Sequence, residues 1–186
     1  MSDFSIAAAV KTLVSDQDLE ELLKEVYVGG GFTEPSVAGA LFRAAEVRAR
    51  GEVLVARDHD GALLGMVITV LPGSPACRFA GAGEAELQLL CVRPTVQRRG
   101  VGGALVEASI AAARRAGAKR VILWTQPLME DAQRLYLKHG FEPNPALDFS
   151  RDDRTFRVLV RSILDPTRDG RGDPESEGRG LTTKFR

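Results

Sequence analysis

Between Val92 and Leu105 the chain reads Val-Arg-Pro-Thr-Val-Gln-Arg-Arg-Gly-Val-Gly-Gly-Ala-Leu, an apolar strand passing through a basic, glycine-spaced turn into a helix. Gly100, Gly102 and Gly103 remove side chains that would hold a ligand off the backbone, and the first turn of a helix presents unpaired N–H groups with partial positive charge. Arg98 and Arg99 add two full charges at the same place. Residues of these types in this order are suited to holding a phosphate. The segment is not a P-loop, since no Gly-Lys-Ser/Thr follows to hold a metal-bound triphosphate, and it is not the dinucleotide fingerprint.

The elements that must position this turn can be read on either side of it. Glu84 to Val92 predicts the strand that leads in, with Glu84, Glu86 and Gln88 on one face and Leu87, Leu89 and Cys91 on the other. The helix beyond runs to Gly117, with Arg114 and Arg115 where cations suit the carboxyl end of the dipole. Lys119 to Thr125 predicts another strand, Glu130 to His139 a helix stopped by Gly140, and Arg154 to Ile163 a returning strand. Upstream, Ser5 to Lys11 predicts a short strand. Ser15 and Asp18 form a capping pair for a helix with Leu19, Leu22, Leu23 and Val26 on one face, ending near Gly29-Gly30-Gly31. A second helix is expected from Thr33-Glu34-Pro35 to just before Gly51, burying Val37, Leu41 and Ala44 or Ala45. Glu52–Arg57 and Ala62–Leu71 read as a hairpin across Asp58-His59-Asp60-Gly61, and Pro72 to Gly83 as a loop. This order predicts an α/β fold, a mixed sheet with helices on both faces.

Composition narrows the classes of function. The 186 residues carry 25 basic and 25 acidic side chains, so no global charge favours nucleic acid or an anionic membrane, and the basic character at Arg93, Arg98 and Arg99 is local. Cys77 and Cys91 are too few for a disulfide framework and lack zinc-site spacing; Cys91, inside Leu-Leu-Cys-Val, reads as a small buried hydrophobe. His59 lies in a turn and His139 beside a helix stop, and neither has partners for metal ligation, so no metal is expected. The amino terminus lacks a basic segment followed by a long apolar one, and the longest apolar run, Ala62–Leu71, is too short to span a bilayer; a soluble cytoplasmic protein is expected. One domain is expected over residues 1–163. Residues 164–186, rich in Gly, Pro and charge, are expected to form a flexible tail.

Gln97-Arg98-Arg99-Gly100-Val101-Gly102 resembles the acyl-CoA pyrophosphate loop of the GNAT superfamily of N-acetyltransferases, whose pattern is Gln/Arg-x-x-Gly-x-Gly/Ala. Glu86 to Val92 is similar to that family's fourth strand, and Asp131-Ala132-Gln133-Arg134-Leu135-Tyr136-Leu137-Lys138-His139-Gly140-Phe141 to its Asn-Ala-x-x-x-Tyr-x-x-x-Gly-Phe signature. The resemblance runs from about Ser5 to Ile163. It implies a single GNAT-like domain with a twisted, mostly antiparallel central sheet, and acetyl-CoA as co-substrate. It further implies transfer of the acetyl group to an amine-bearing acceptor by direct attack, and no metal. By the same resemblance the pyrophosphate rests on Gln97, Arg98, Arg99, Gly100, Val101, Gly102 and Gly103. The carrier arm runs along Leu90, Cys91 and Val92, with a backbone oxyanion donor near Leu90 where the family's strand is bulged and splayed.

The chemistry asks for two more groups. A protonated amine must lose a proton before it attacks a thioester, and Glu86 is the carboxylate best placed to relay it; its alternative is an exposed strand face. Tyr136 falls where the family's pattern places the acid for the departing thiolate, its alternative being a core aromatic. Asp131 departs from the family's asparagine: an ionised carboxylate accepts but does not donate a hydrogen bond, so it either binds the carrier less well or serves as a cap, and Gln126 is a candidate for part of that role. Trp124 reads as core, and Arg93 either contacts phosphate or faces solvent. Acceptor identity is left open, with Val26–Thr33, Pro72–Gly83 and Phe141–Arg154 as the pocket walls and Asp148, Asp152 and Asp153 as acids for a cationic amine. A non-catalytic acyl-CoA sensor, an interaction domain on the same scaffold and a homodimer all stay open.

Overall fold

The structure, a computed structural model, describes residues 3–164. The flexible tail expected at 164–186 lies outside the described residues except for Leu164. One sheet of eight strands forms the centre: β1 (Phe4–Ala8), β2 (Glu52–Asp58), β3 (Leu63–Val70), β4 (Glu84–Val92), β5 (Arg120–Thr125), β6 (Glu142–Pro143), β7 (Phe149–Arg151) and β8 (Arg154–Ser162). The order across it is β1-β2-β3-β4-β5-β8-β6, with β7 paired to β8. Every pairing is antiparallel except β4 with β5, which the long helix α4 (Val101–Arg115) connects. The mixed, mostly antiparallel α/β architecture read from the sequence is the one observed.

Local sequence explains most boundaries. Helix α1 (Asp16–Leu23) begins with a reciprocal capping box: the Ser15 Oγ accepts from the Asp18 N–H at 3.0 Å while Asp18 accepts from the Ser15 N–H at 3.3 Å. In the β2–β3 turn the Asp58 carboxylate accepts from the Ala62 N–H at 2.8 Å, and Gly61 takes a φ of 89°. After Leu23 the helix continues as a π-helical turn, Lys24–Val28, before the glycines. The single second helix expected from the sequence is instead two short ones, α2 (Pro35–Leu41) and α3 (Ala44–Ala49). Phe42 leaves helical geometry at a φ of −106° and turns inward to 1 % exposure. Burying such a ring contributes about 1.5–3 kcal/mol, enough to outweigh a continued helix. The break also rotates Val37, expected inside, to 50 % exposure, while Ala38, Ala44 and Val47 fill the core.

Two apolar layers flank the sheet. On one face α4 and α5 (Glu130–Lys138) pack over β2–β5 through Val101, Leu105, Val106, Ile110 and Tyr136 against Leu54, Val67, Ala85, Leu87, Val121 and Leu123. On the other, α1–α3 cover Val53, Val55, Met66, Ile68, Val70 and Cys91 with Leu19, Leu22, Leu23 and Phe42. Arg48 ties that second layer together, its Nε donating to Asp16 at 2.9 Å and its Nη atoms to the carbonyls of Ala9 and Val14.

Candidate active site

The site begins where β4 leaves β5. These strands pair only at Glu84–Arg120, Ala85–Val121 and Glu86–Ile122, and beyond Glu86 they diverge. On its other edge β4 carries a bulge. Its register against β3 shifts between Met66–Cys91 and Ile68–Gln88, and Leu89 takes a φ of 48°, a left-handed value uncommon for a residue with a side chain. The Arg93 N–H bonds the Leu64 carbonyl at 2.8 Å. Alternate residues of an antiparallel strand point their backbone groups the same way, so Cys91, paired with Met66, faces β3 while Leu90 and Val92 turn theirs into the gap. The Leu90 carbonyl accepts from the Tyr27 hydroxyl at 3.0 Å, and Leu90 has no strand partner on either side.

The bulge corrects one expectation. Leu87 lies with the α4 layer, whereas Leu89 and Cys91 lie on the opposite face together with Glu86 and Gln88, because the extra residue reverses the alternation. Of the expected carrier-lining stretch, Leu90 and Val92 present backbone to the gap and Cys91 does not. The Cys91 side chain is 3 % exposed, and burial pushes its thiol up to about 12.

The turn expected to cradle a phosphate leads into the amino terminus of α4. Gly100 caps the helix at a φ of 84°, Arg98 before it has a φ of 62°, and no side chain caps the helix. The N–H groups of Val101, Gly102 and Gly103 find no acceptor among the described residues, the first helical bond running from Ala104 to Gly100. A Cβ at Gly100 would meet nothing within 4 Å, which leaves room above the turn. Gly102 and Gly103 have a second duty: a Cβ there would approach Leu135 to 3.2 Å and His139 to 3.0 Å, so both also let α4 and α5 come close. Val101 offers its amide alone, its side chain being buried against the sheet. Arg98 and Arg99 are exposed, Arg99 reaching Asp3 at 3.3 Å, and Gln97 turns its Nε2 back to the Val92 carbonyl at 3.4 Å. Arg93 is withdrawn from any ligand, its guanidinium bonded to Glu25 and to the Leu63 carbonyl.

Asp131 stands exposed in the first turn of α5 and pairs with Arg134 at 2.5 Å. That guanidinium, with Arg98 further away, holds its carboxyl below the ordinary value. It is an acceptor facing the basic turn, and supplies no donor to a ligand. Gln126 spends its amide on the Phe32 carbonyl at 2.9 Å, and its own carbonyl accepts from Gln133 at 3.0 Å. Tyr136 packs edge-on to Phe141 with centroids 5.9 Å apart and is 6 % exposed. Its hydroxyl makes no hydrogen bond among the described residues, although no fully buried side-chain oxygen or nitrogen among them lacks a partner; the hydroxyl therefore reaches accessible surface. Burial, and then the nearby Cys91, raise the phenol above its ordinary value, so it carries its proton at neutral pH.

Glu86, the expected proton relay, is fully buried. Its Oε1 accepts from the backbone N–H groups of Arg78 at 2.7 Å and Ala80 at 2.9 Å and from that of Phe79, while Oε2 accepts from Gln88 Nε2 at 2.7 Å. Gln88 also donates to the Ala76 carbonyl at 2.9 Å. The carboxylate thus anchors the β3–β4 loop and is closed off from solvent, which corrects the expectation that this polar strand face turns to a cleft or to solvent. Trp124, expected in the core, is half-buried in an aromatic group with Phe79 (5.5 Å) and Phe149 (6.5 Å), and Phe149 stacks on Phe156 at 4.8 Å. Asp148 caps the Val158 N–H at 2.8 Å, and Asp152 and Asp153 form the β7–β8 turn at positive φ, so the three acids do not converge on a pocket.

Sequence reasoning missed Tyr27 and the Arg78–Ala80 loop. The only signal for the first was a tyrosine in the last turn of an expected amphipathic helix, and for the second a polar Glu-x-Gln pair on a strand that has no exposed face. Among the described residues no group of three metal-ligating side chains occurs, and no helix is long and apolar enough to cross a membrane.

Against this geometry, residues 17–141 match the profile of the acetyltransferase (GNAT) family. No curated protein matches the chain. Among solved structures, the PaiA N-acetyltransferase of Thermoplasma acidophilum in complex with coenzyme A is similar with a TM-score of 0.67 and 16% identity, over 86% of this chain and 98% of that one. An acetyltransferase of Bacillus subtilis in complex with CoA gives 0.62 and 20%, over 87% and 99%. The ribosomal-protein-S18-alanine N-acetyltransferase of Escherichia coli gives 0.62 and 19%, over 86% and 94%. At these identities the structures speak for the fold, while the profile spans well over half the chain. The chain belongs to the acetyltransferase (GNAT) family.

Proposed function

We propose that this protein is an acetyl-CoA-dependent N-acetyltransferase that moves the acetyl group to a primary amine by direct attack in a ternary complex. The observation that carries the reading is the pairing of two features on one strand–turn–helix unit: a gap beside β4 bordered by the backbone of Leu90 and Val92, and three acceptor-free N–H groups at Val101–Gly103. A pyrophosphate suits the second and a strand-like pantetheine arm the first. Two of the similar structures hold coenzyme A, which supports the same carrier here.

In this reading the free amine attacks the thioester carbonyl, and the charge developing on the carbonyl oxygen is met by the backbone N–H of Leu90, already oriented by the bulge. The C–S bond breaks, and Tyr136 gives its proton to the departing thiolate. The proton lost from nitrogen passes to water and restores the phenol. A relay through Glu86 requires the Arg78–Ala80 loop to lift from Oε1 or Gln88 to release Oε2; as the site stands, Glu86 is the anchor of the acceptor wall. Asp131 and Arg134 border the carrier site through their charges.

Calorimetric titration with acetyl-CoA tests the carrier site. Saturable binding is expected in the native protein, weakened about tenfold or more in Arg99→Glu through lost attraction and added repulsion. A folded native protein that binds no acetyl-CoA overturns the reading. Binding without turnover on any amine favours a sensor on the same scaffold.

A further inference from the structure

The acceptor side holds a cation that no polar side chain or carbonyl among the described residues engages. Arg78 lies in the loop between β3 and β4, its backbone N–H fixed to the buried Glu86 carboxylate at 2.7 Å. Its guanidinium carbon sits 3.9 Å from the Phe149 ring centroid and 5.3 Å from that of Phe79. Among the described residues its side chain makes no hydrogen bond and no ion pair. Other arginines of β5 and β8 are differently employed: Arg154 donates to the Phe32 carbonyl at 3.1 Å, Arg120 pairs with Glu84, and Arg157 reaches Gln133 at 3.3 Å. A guanidinium lying against an aromatic face keeps its N–H donors in its own plane, directed away from the rings and pre-organised for bidentate pairing.

The rings beneath it place this cation relative to the chemistry. Phe79, Trp124 and Phe149 lie on the sheet face opposite α4 and α5, as Glu86 does, and Trp124 stands two residues past Ile122, the last rung joining β5 to β4. The aromatic floor therefore starts at the apex of the gap. Leu90 lies four residues beyond Glu86, at most about 13 Å along the strand at ~3.3 Å per residue, the bulge at Leu89 shortening the span. One guanidinium, the other arginines of these strands being engaged elsewhere, suits a singly charged carboxylate better than a phosphate dianion, and Glu84 and Glu86 add to that preference.

Resting on the acyl-transfer reading above, we propose that Arg78 on its Phe79–Phe149 floor is the anion subsite of the acceptor. The acceptor class is then an amine that carries a free carboxylate several bonds from its nucleophilic nitrogen, with an apolar body lying over Trp124 and Phe79. A single α-amino acid is too short for the span. An extended di- or tripeptide, at roughly 3.5 Å per residue, fits once the reach of the arginine is included.

The test is CoA-thiol release from acetyl-CoA by the full chain, using matched pairs of phenylalanine, Ala-Phe and Ala-Ala-Phe as free acids and as C-terminal amides. The peptide acids are expected to exceed their amides in kcat/KM by about tenfold or more, a factor of ten corresponding to about 1.4 kcal/mol. Arg78→Ala should raise the KM of the acids by a similar factor while leaving the amides and the KM for acetyl-CoA unchanged, and Arg78→Lys should recover part of the loss. Amides used as well as acids overturn the subsite. So does an equal loss on both in Arg78→Ala, which marks a structural role, and so does no turnover of any pair by protein that still binds acetyl-CoA. Failure of acetyl-CoA to bind strikes the underlying reading instead.

Discussion

The two sides of the β4–β5 gap are finished in opposite ways. On the carrier side the polar groups are mainly backbone N–H groups without a partner among the described residues, three at the helix start and that of Leu90, beside two exposed arginines of which Arg99 reaches Asp3. On the acceptor side the two strand side chains are buried and consumed, Glu86 by three loop amides and Gln88 by Ala76 and Glu86, and only the Arg78 side chain stands exposed without a polar partner among the described residues. An anion can be met by donors that cost nothing to expose, because water solvates them until it arrives. A buried carboxylate needs partners inside the protein, and here those partners set the shape of a loop. Under the proposed function the first side would meet the carrier common to the family, and the second would hold what is particular to this chain.

The comparison breaks first at Tyr136. Removing only its hydroxyl in Tyr136→Phe should lower kcat by about 100- to 1,000-fold and leave acetyl-CoA affinity unchanged, since the ring keeps its packing on Phe141. A kcat that survives would place the acid elsewhere. Glu86→Gln sharpens the acceptor side. Each hydrogen bond to a carboxylate contributes about 1.5–3 kcal/mol, and the amide weakens several at once. The expected result is an acceptor KM raised about tenfold with the acid limb of the pH–rate profile unmoved. Loss of that limb would make Glu86 the general base after all.

The smallest effect concerns the core wall that both sides share. Cys91 has a folded value of about 12 against an ordinary 9.0, because burial opposes the thiolate. The raised folded value means that the unfolded chain gives up this proton first as pH rises. Its stabilising contribution is complete below the ordinary value and declines through the interval up to the folded one, by at most about 1.4 kcal/mol per pH unit. Thermal unfolding followed from about pH 9 upward should show a shallower loss in Cys91→Ala than in the native protein. Equal slopes would show that the thiol is open to water.

Much of the carrier side was legible because it is written in residues with few other uses. An arginine pair before spaced glycines marks the cradle, and Tyr136 with Gly140-Phe141 marks the facing helix. The Ser15–Asp18 box and the Asp58–Gly61 turn are likewise local chemistry. The bulge at Leu89 had no such mark: Leu-Gln-Leu-Leu-Cys reads as plain strand, and nothing in a leucine announces a positive φ. Missing it put Leu89 and Cys91 on the wrong face. The acceptor wall was hidden for a related reason, since the partners of Glu86 are backbone amides of Arg78, Phe79 and Ala80, groups every residue owns. The break at Phe42 escaped because tertiary burial, with neither glycine nor proline, ends that helix.

The three rungs that join β4 to β5 are few beside the six that join β5 to β8. The sheet is in effect two blades, β1–β4 and β5–β8–β6, hinged at one short seam and open along the rest. A strand-like ligand lying in the opening supplies hydrogen bonds that the polypeptide omits, so loading completes the fold as much as it fills a site. By linkage, under the proposed function, the cohesion of the blades would rise with the logarithm of ligand concentration over its dissociation constant, so that supply of the activated acyl carrier would set how firmly the molecule holds together.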